Sequence, residues 1–595
     1  MISVYDYIVI GFFLLFMIGI GIYFRNTCKD TSDFIRGGGS MSWWLSGASN
    51  FMFTFSAWTF VGCAGKIYKT GTLLIILFFF NAFAYLVVGL FLAHRFRRMR
   101  VITPVEAIRQ RFGLVSEQVY AWQGAIQTFL LGGVGLYTLS IFIAPILNVK
   151  SMPVCIAIMG MVIVFMSVTG GAWAVVASDF VQSLTVMAIT IVAAVLVLMM
   201  PEVGGVSGFF EKLPSYHFNY SELMRPPIIF LWVFAIFLNQ MFSAINLTAG
   251  ASRYLYAKSD KDAKKSAFLV VAGFIVGPLL WFIPPMAASF VIPDIANMFP
   301  MLKNPEEASY VAICMKAFPA GLVGLLACGI FAATMSSMNT SLNLLSGIVC
   351  RNIYKVLFRP QADEKELLLT SRLLTLFFGA SMITGGIIFA SLKNTPPMFE
   401  FTMMIAGLIS IPMTMPLVLG MFIKRTPPWS AWSTIVVGLS AAFIAKFFLS
   451  TKETAAFIGF ENLSDRELSD FSFFAMIFCT STVSTLWFLG MIPFYRKASR
   501  ESQESINGFF ANMDKPVTAD SAEHRHTDAM QYRMLGSLCL AYGFVILLGT
   551  LIPNNITGRL CFMFIGGSVM VIGAVLYRLF LQCRTKLIKV EVGNE

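Results

Sequence analysis

Between Phe331 and Asn343 the chain reads FAATMSSMNTSLN, placing Thr334, Ser336, Ser337, Asn339, Thr340, Ser341 and Asn343 inside an apolar run that extends from Gly321 to Ser346. Hydrocarbon surroundings penalise hydroxyls and amides that lack a partner, so this density needs a polar guest or a polar neighbour. On a helix, Ala333, Ser336, Ser337 and Thr340 fall at i, i+3, i+4 and i+7 and share one face. A face of neutral oxygens at membrane depth suits a desolvated hard cation such as sodium. The competing explanation is packing, with Ser and Thr hydroxyls bonded back to their own helix. A carboxylate, Asp179, stands in another apolar stretch, GGAWAVVASDFVQ (Gly170 to Gln182), where an ionisable group marks a site until a partner is named.

Composition decides what carries these groups. The chain has 595 residues, 57% of them hydrophobic and only 12% charged, and its apolar stretches are long enough to cross a bilayer. It is a polytopic membrane protein, with about fifteen spans from 5–24 to 557–582. The net charge of +12 sits in short loops rather than in a basic stripe, so nucleic acid is not a partner. Most of the 43 Lys and Arg fall in the loops after spans 1, 3, 7, 9, 11 and 13 and in the tail, placing the N-terminus outside and the C-terminus in the cytoplasm. The ten Cys lie singly and the four His are dispersed, which points to neither a disulfide framework nor a metal cluster. No HExxH, GxSxG or paired His and carboxylate set is present, so the chain does not read as an enzyme.

Two spans are irregular. The second, Trp43 to Gly65, interrupts its apolar pattern with Thr54, Ser56, Thr59 and three Gly, which predicts a broken helix whose freed carbonyls can ligate a cation. In the seventh, 227–249, Asn239, Gln240, Ser243, Asn246 and Thr248 crowd together. Spans two and seven lie five apart, as the first helices of two five-helix inverted repeats would. At ~1.5 Å per residue, Ser336 and Ser337 sit ~14 to 15 Å from the inner end of their span and Met52 ~14 Å, with Asp179 and Thr340 both ~9 Å in. One layer then joins the broken span to Ser336 and Ser337, and a shallower one joins Asp179 to Asn339 and Thr340.

Several stretches carry a family resemblance when taken in order. They are SAWTFVG (Ser56 to Gly62), RFRRMRVITPVEAIRQRFG (Arg95 to Gly113), GGAWAVVASDFVQ, SRYLYAKSDKDAKKSA (Ser252 to Ala267), MSSMNTSLN followed by RNIYK at Arg351, and FIKRTPPWSA (Phe422 to Ala431). The chain resembles the sodium:solute symporter family. That resemblance implies an all-α, leucine-transporter-like core of two inverted five-helix repeats, with one leading helix and four trailing helices. The corresponding regions are 1–42 (leading helix and cytoplasmic loop), 43–429 (ten-helix core), 430–495 (two accessory helices), 496–533 (cytoplasmic linker) and 534–595 (two C-terminal helices and tail). It also implies a sodium-coupled importer of a small organic solute working by alternating access. The alternatives are a transporter-like sensor or a proton-coupled symporter using Asp179.

By alignment the family's shared sodium site falls on the carbonyls of Met52, Phe55 and Ala333 and the hydroxyls of Ser336 and Ser337. A second sodium or coupling site would use Asp179, Asn339 and Thr340, with Asn339 departing from the serine found in some members. Substrate candidates are Thr54, Trp58, Thr59, Asn81, Asn239, Gln240, Ser243 and Met403, a partly apolar set with no Arg or Lys to clamp a carboxylate. Na+, one solute and the lipid bilayer are the expected partners, with no obligate protein partner. The linker, Arg496 to Arg533, shows no sustained apolar face and reads as a linker or short amphipathic segment; its FFANMDKPV element resembles linkers of bacterial members, which implies a bacterial inner membrane.

Overall fold

The computed structural model describes residues 3–24, 31–222, 225–244, 250–300, 302–392, 395–518 and 522–592. It is built from helices, and the one β contact among the described residues is an isolated bridge between Met41 and Ala257. Among the described residues, thirteen helices are long and apolar enough to cross a membrane. The difference from fifteen lies in two places. Met152–Leu198 runs as one helical element but turns at Gly171 (φ 56°, ψ −162°), a backbone position open to glycine, and so contains spans five and six. The second span is broken: Trp43–Thr54 is helical, Phe55 is extended (φ −115°, ψ 122°), and helix resumes at 57 and runs through a π-helical turn at Thr59–Cys63 into Ala64–Thr70.

The serine-rich helix, Leu322–Ile348, lies at the centre and is buried along nearly its whole length. It packs against the leading helix Val4–Phe24, the first half of the broken helix, the long helix Pro104–Leu147, the Met152–Leu198 element and Glu364–Ser391. The leading helix also closes its end: Asp6, 2% exposed, accepts the Gly324 N–H at 2.7 Å, supplying an acceptor to a first-turn donor that has none within the helix. Small residues permit the closest crossings. A Cβ on Gly133 would lie 2.9 Å from the Gly385 carbonyl carbon, so the long helix and Glu364–Ser391 meet backbone to backbone.

The trailing helices Ala522–Leu548 and Ile556–Val592 pack on each other and on the Met152–Leu198 element, and Ala522–Leu548 also reaches the start of the broken helix. Tyr532 stacks on Trp44 at 5.8 Å, and Asp528 pairs with Lys258 at 2.6 Å. Within the linker, Arg500–Asp514 is a short amphipathic helix that buries Ile506, Phe509 and Met513. These three fall on one face at i, i+3 and i+7, a stripe too narrow to stand out in a charged stretch. Arg98 anchors the helix by donating to the Met513 carbonyl at 3.0 Å while pairing with Asp260 at 2.7 Å.

Candidate functional site

The break in the second span is held open by the serine-rich helix. Thr334 Oγ1 accepts the Ala57 N–H at 2.9 Å and donates to the Ile330 carbonyl at 3.1 Å, so one hydroxyl satisfies the first free donor after the unwound residues. Thr334→Val should therefore destabilise the protein by about 1–3 kcal/mol, the cost of an unmet buried donor, while Thr334→Ser should hold near the parent. Thermal unfolding of purified protein reads the difference, and equal loss in both variants would assign the effect to the methyl group instead.

The expected ion ligands lie on two elements that pack together, Met52 and Phe55 at the break and Ala333, Ser336 and Ser337 on the serine-rich helix. Met52, Phe55 and Ala333 are fully buried, and Ser336 is 1% exposed. Among the described residues the buried Ser336 hydroxyl has the Asp179 carboxylate as its polar neighbour. Ser337 is half-buried, lines the neighbouring cavity and donates to the Thr334 carbonyl at 2.8 Å.

Asp179 is fully buried one step away, with Ser336 facing it. Its Oδ2 accepts from Ser49 and lies 3.5 Å from Arg253 Nη2, and the Ser336 hydroxyl acts on the same carboxylate. Arg253, 1% exposed, also donates to Thr340. Asn339 turns elsewhere, its Oδ1 accepting from Ser167 at 2.6 Å and its Nδ2 left unpartnered. The three residues of the candidate second site therefore do not converge on one empty point: Asp179 and Thr340 share a guanidinium, and Asn339 faces another helix. Asp179 touches both expected layers through Ser49 and Ser336 on one side and Arg253 and Thr340 on the other.

Beside the break lies a cavity of about 230 Å³. Its walls are Ser56 and Trp58 after the break, Thr334, Ser337 and Ser341 on the serine-rich helix, and Gln127, Thr128 and Thr138 on the long helix. A smaller cavity of about 30 Å³ shares Phe53, Thr128 and Ser341 and continues toward Ile348. At the opposite end Trp58 closes the space, stacking on Phe399 at 5.8 Å and donating to the Met398 carbonyl at 3.3 Å.

Of the substrate candidates, Trp58 lines this cavity. Thr54 instead donates to the Phe51 carbonyl at 2.7 Å and tightens the last turn before the break. Thr59 is buried in the π-helical turn, and Asn81 is half-buried on Ile75–Val87; neither lines the cavity. Asn239 donates to the sulfur of Met403 at 3.4 Å, Gln240 is buried and Ser243 Oγ has no partner among the described residues, all on Pro226–Ala244 and outside the cavity walls. Asn246 and Thr248 lie outside the described residues. The long-helix wall was missed by sequence reasoning; the signals in it are Gln123 and Gln127 in an apolar run, with Gly132, Gly133 and Gly135 just beyond.

A short loop seats the second half of the broken helix. Glu307 Oε1 accepts the Met398 N–H at 2.5 Å, and burial, reinforced by Glu306 and Glu400, raises its carboxyl to about 8 from an ordinary 4.5. A carboxyl raised on folding binds its proton more tightly in the folded state, so this contribution is complete below pH 4.5 and declines as pH rises to about 8. The protein should thus unfold at lower temperature at pH 9 than at pH 6. Glu307→Gln should flatten that dependence, and an unchanged slope in the variant would remove Glu307 as its source.

Residues 34–438 match the family model described as Sodium:solute symporter family. The sodium/sialic acid symporter SiaT of Proteus mirabilis (strain HI4320) is 23% identical over 453 residues, covering 74% of this chain and 89% of that protein. The sodium/glucose cotransporter of Vibrio parahaemolyticus is also 23% identical, over 75% of this chain and 86% of its own length. The solved outward-open, substrate-bound structure of a Na+-coupled sialic acid symporter superposes with a TM-score of 0.66 at 20% identity, covering 81% of this chain and 98% of that one. Mhp1, a nucleobase-cation-symport-1 family transporter solved in a closed conformation, gives a TM-score of 0.51 at 12% identity over 80% of this chain and 98% of its own.

Proposed function

The chain belongs to the sodium:solute symporter family and couples solute transport to sodium, and from that premise we propose that sodium binds between the Met52, Phe55 and Ala333 carbonyls and the Ser336 and Ser337 hydroxyls. The observation that carries this is the buried Ser336 hydroxyl, with only the Asp179 carboxylate as polar neighbour among the described residues, on the helix packed against the break. A small cation there ties the first half of the broken helix to the serine-rich helix, and its loss loosens that contact.

The solute occupies the adjacent cavity, touching Trp58, Gln127, Thr128, Thr138 and Ser337. The charge bias of the loops supports an N-terminus outside and a C-terminus in the cytoplasm. In that orientation the Trp58–Phe399 stack is the outer closure, and the small cavity toward Ile348 lies on the way in. Bacterial relatives and the FFANMDKPV element support a bacterial inner membrane. The Arg253 contact favours one sodium per cycle, because Asp179 already has a side-chain cation.

The test is a thermal-shift screen of purified protein against a solute library in sodium, repeated in potassium. A solute that stabilises the protein only in sodium should also enter proteoliposomes down a sodium gradient. Equal stabilisation in both salts by every binding solute would sink the ion assignment.

A further inference from the structure

A second pocket, of about 120 Å³, lies across the Trp58–Phe399 stack from the central cavity. Five elements meet there: Ala64–Thr70, Pro226–Ala244, Met398–Ile405, the turn Ala445–Leu449 and Asp465–Gly490. Its walls are apolar, with Trp232, Phe401 and Phe473 among them, yet two ammonium and two carboxylate groups face it: Lys66, Lys446, Glu400 and Asp470.

These four are unequally satisfied. Lys66 pairs with Glu400 Oε1 at 2.6 Å and lies over the Phe399 ring at 5.6 Å, which accounts for one charge of each sign. Lys446 Nζ donates to the Ser472 hydroxyl at 3.2 Å and, among the described residues, meets no carboxylate within ion-pair distance. Asp470 has neither a hydrogen bond nor an ion pair among the described residues, so Lys446 and Asp470 are not paired with each other. Glu400 Oε2 is buried without a hydrogen-bond partner among the described residues. An ammonium and a carboxylate are thus held apart in an apolar-walled pocket instead of neutralising each other. Half-buried charges in such a place are costly unless paired, and a ligand carrying both complementary charges pairs both at once.

We propose that this pocket is an entry site for a small zwitterion with an apolar body, its carboxylate on Lys446 and its ammonium on Asp470 and Glu400 Oε2. The four side chains sum to no net charge, which matches a neutral zwitterion and disfavours a simple anion or cation. The pocket supplies the carboxylate clamp that the central cavity lacks, and Phe399 stands between the two spaces. The proposal rests on the symporter reading for its direction, since entry precedes passage under Trp58, but binding in the pocket requires no sodium.

Matched probes test it on the purified full chain in potassium: L-leucine, 3-methylbutylamine, which lacks the carboxylate, and 4-methylpentanoate, which lacks the ammonium. Leucine should bind at least tenfold more tightly than either fragment by calorimetry. Lys446→Gln should lower leucine affinity to that of the amine, and Asp470→Asn to that of the acid, while neither changes the sodium-induced thermal shift. Equal binding of all three probes, binding of none, or leucine affinity unchanged in both variants would overturn the proposal. Ser336→Ala separates the two readings: it should keep leucine binding in potassium while raising the sodium concentration for half-maximal transport about tenfold. An unchanged sodium curve with intact leucine binding would count against the ion site alone.

Discussion

Arg253→Met should yield a protein that unfolds far more readily in potassium and regains part of its stability in sodium. Arg253 and Asp179 are respectively 1% and 0% exposed, with 3.5 Å between Nη2 and Oδ2. Removing one member of such a pair strands a charge and costs about 3–5 kcal/mol. Asp179 keeps the Ser49 hydroxyl but loses its counter-charge, and Thr340 loses the guanidinium. Sodium is the small cation able to fill the vacated space, with Asp179, Thr340 and Ser336 oxygens around it. Asp179→Asn should be destabilising for the converse reason, a buried guanidinium left alone. The Arg253→Met/Asp179→Asn double variant should recover stability with a coupling on the order of 1–3 kcal/mol, without a sodium response at this position. Additive losses in the cycle would mean the pair is not coupled. A parent protein already moving two sodium ions per solute would show that Arg253 leaves Asp179 during transport.

The second large effect is at Ser336. Ser336→Ala should raise the sodium concentration for half-maximal uptake about tenfold, since a lost neutral ligand of ~1–1.5 kcal/mol corresponds to that factor. Ser337→Ala should do less alone, because that hydroxyl is engaged with the Thr334 carbonyl and becomes a ligand only after rotating. The double variant should lose sodium activation. Uptake in proteoliposomes at graded sodium reads all three, and a Ser336→Ala protein with the parent's sodium curve would remove this hydroxyl from the ion site.

The broken helix was legible because Gly, Ser and Thr interrupt an otherwise apolar span where hydrocarbon tolerates little interruption. The buried face of the serine-rich helix was legible for the same reason, and so was Asp179. Arg253 was not. In a loop motif rich in Lys and Arg it reads as a topology charge, and only the three-dimensional path of Gly250–Tyr256 beneath the core turns it into a buried partner. The long-helix wall of the cavity escaped because Gln127, Thr128 and Thr138 are spread over three helical turns, without the local density that marks the serine-rich stretch. Thr54 shows the opposite error, since a hydroxyl at a break can be spent on its own last turn. Asn239 pairs with the Met403 sulfur, so two candidates for solute contact satisfy each other.

The carboxylate of Asp6 on the Gly324 N–H has a practical corollary for anyone building chimeras. The first turn of the leading helix and the first turn of the serine-rich helix form one unit, although 318 positions separate them in sequence. A hybrid that borrows a leading helix from a relative must bring an acceptor to the same place. A fusion partner joined at that end should likewise leave Ser3 intact, because its amide and hydroxyl hold the other Asp6 oxygen at 2.9 and 2.7 Å.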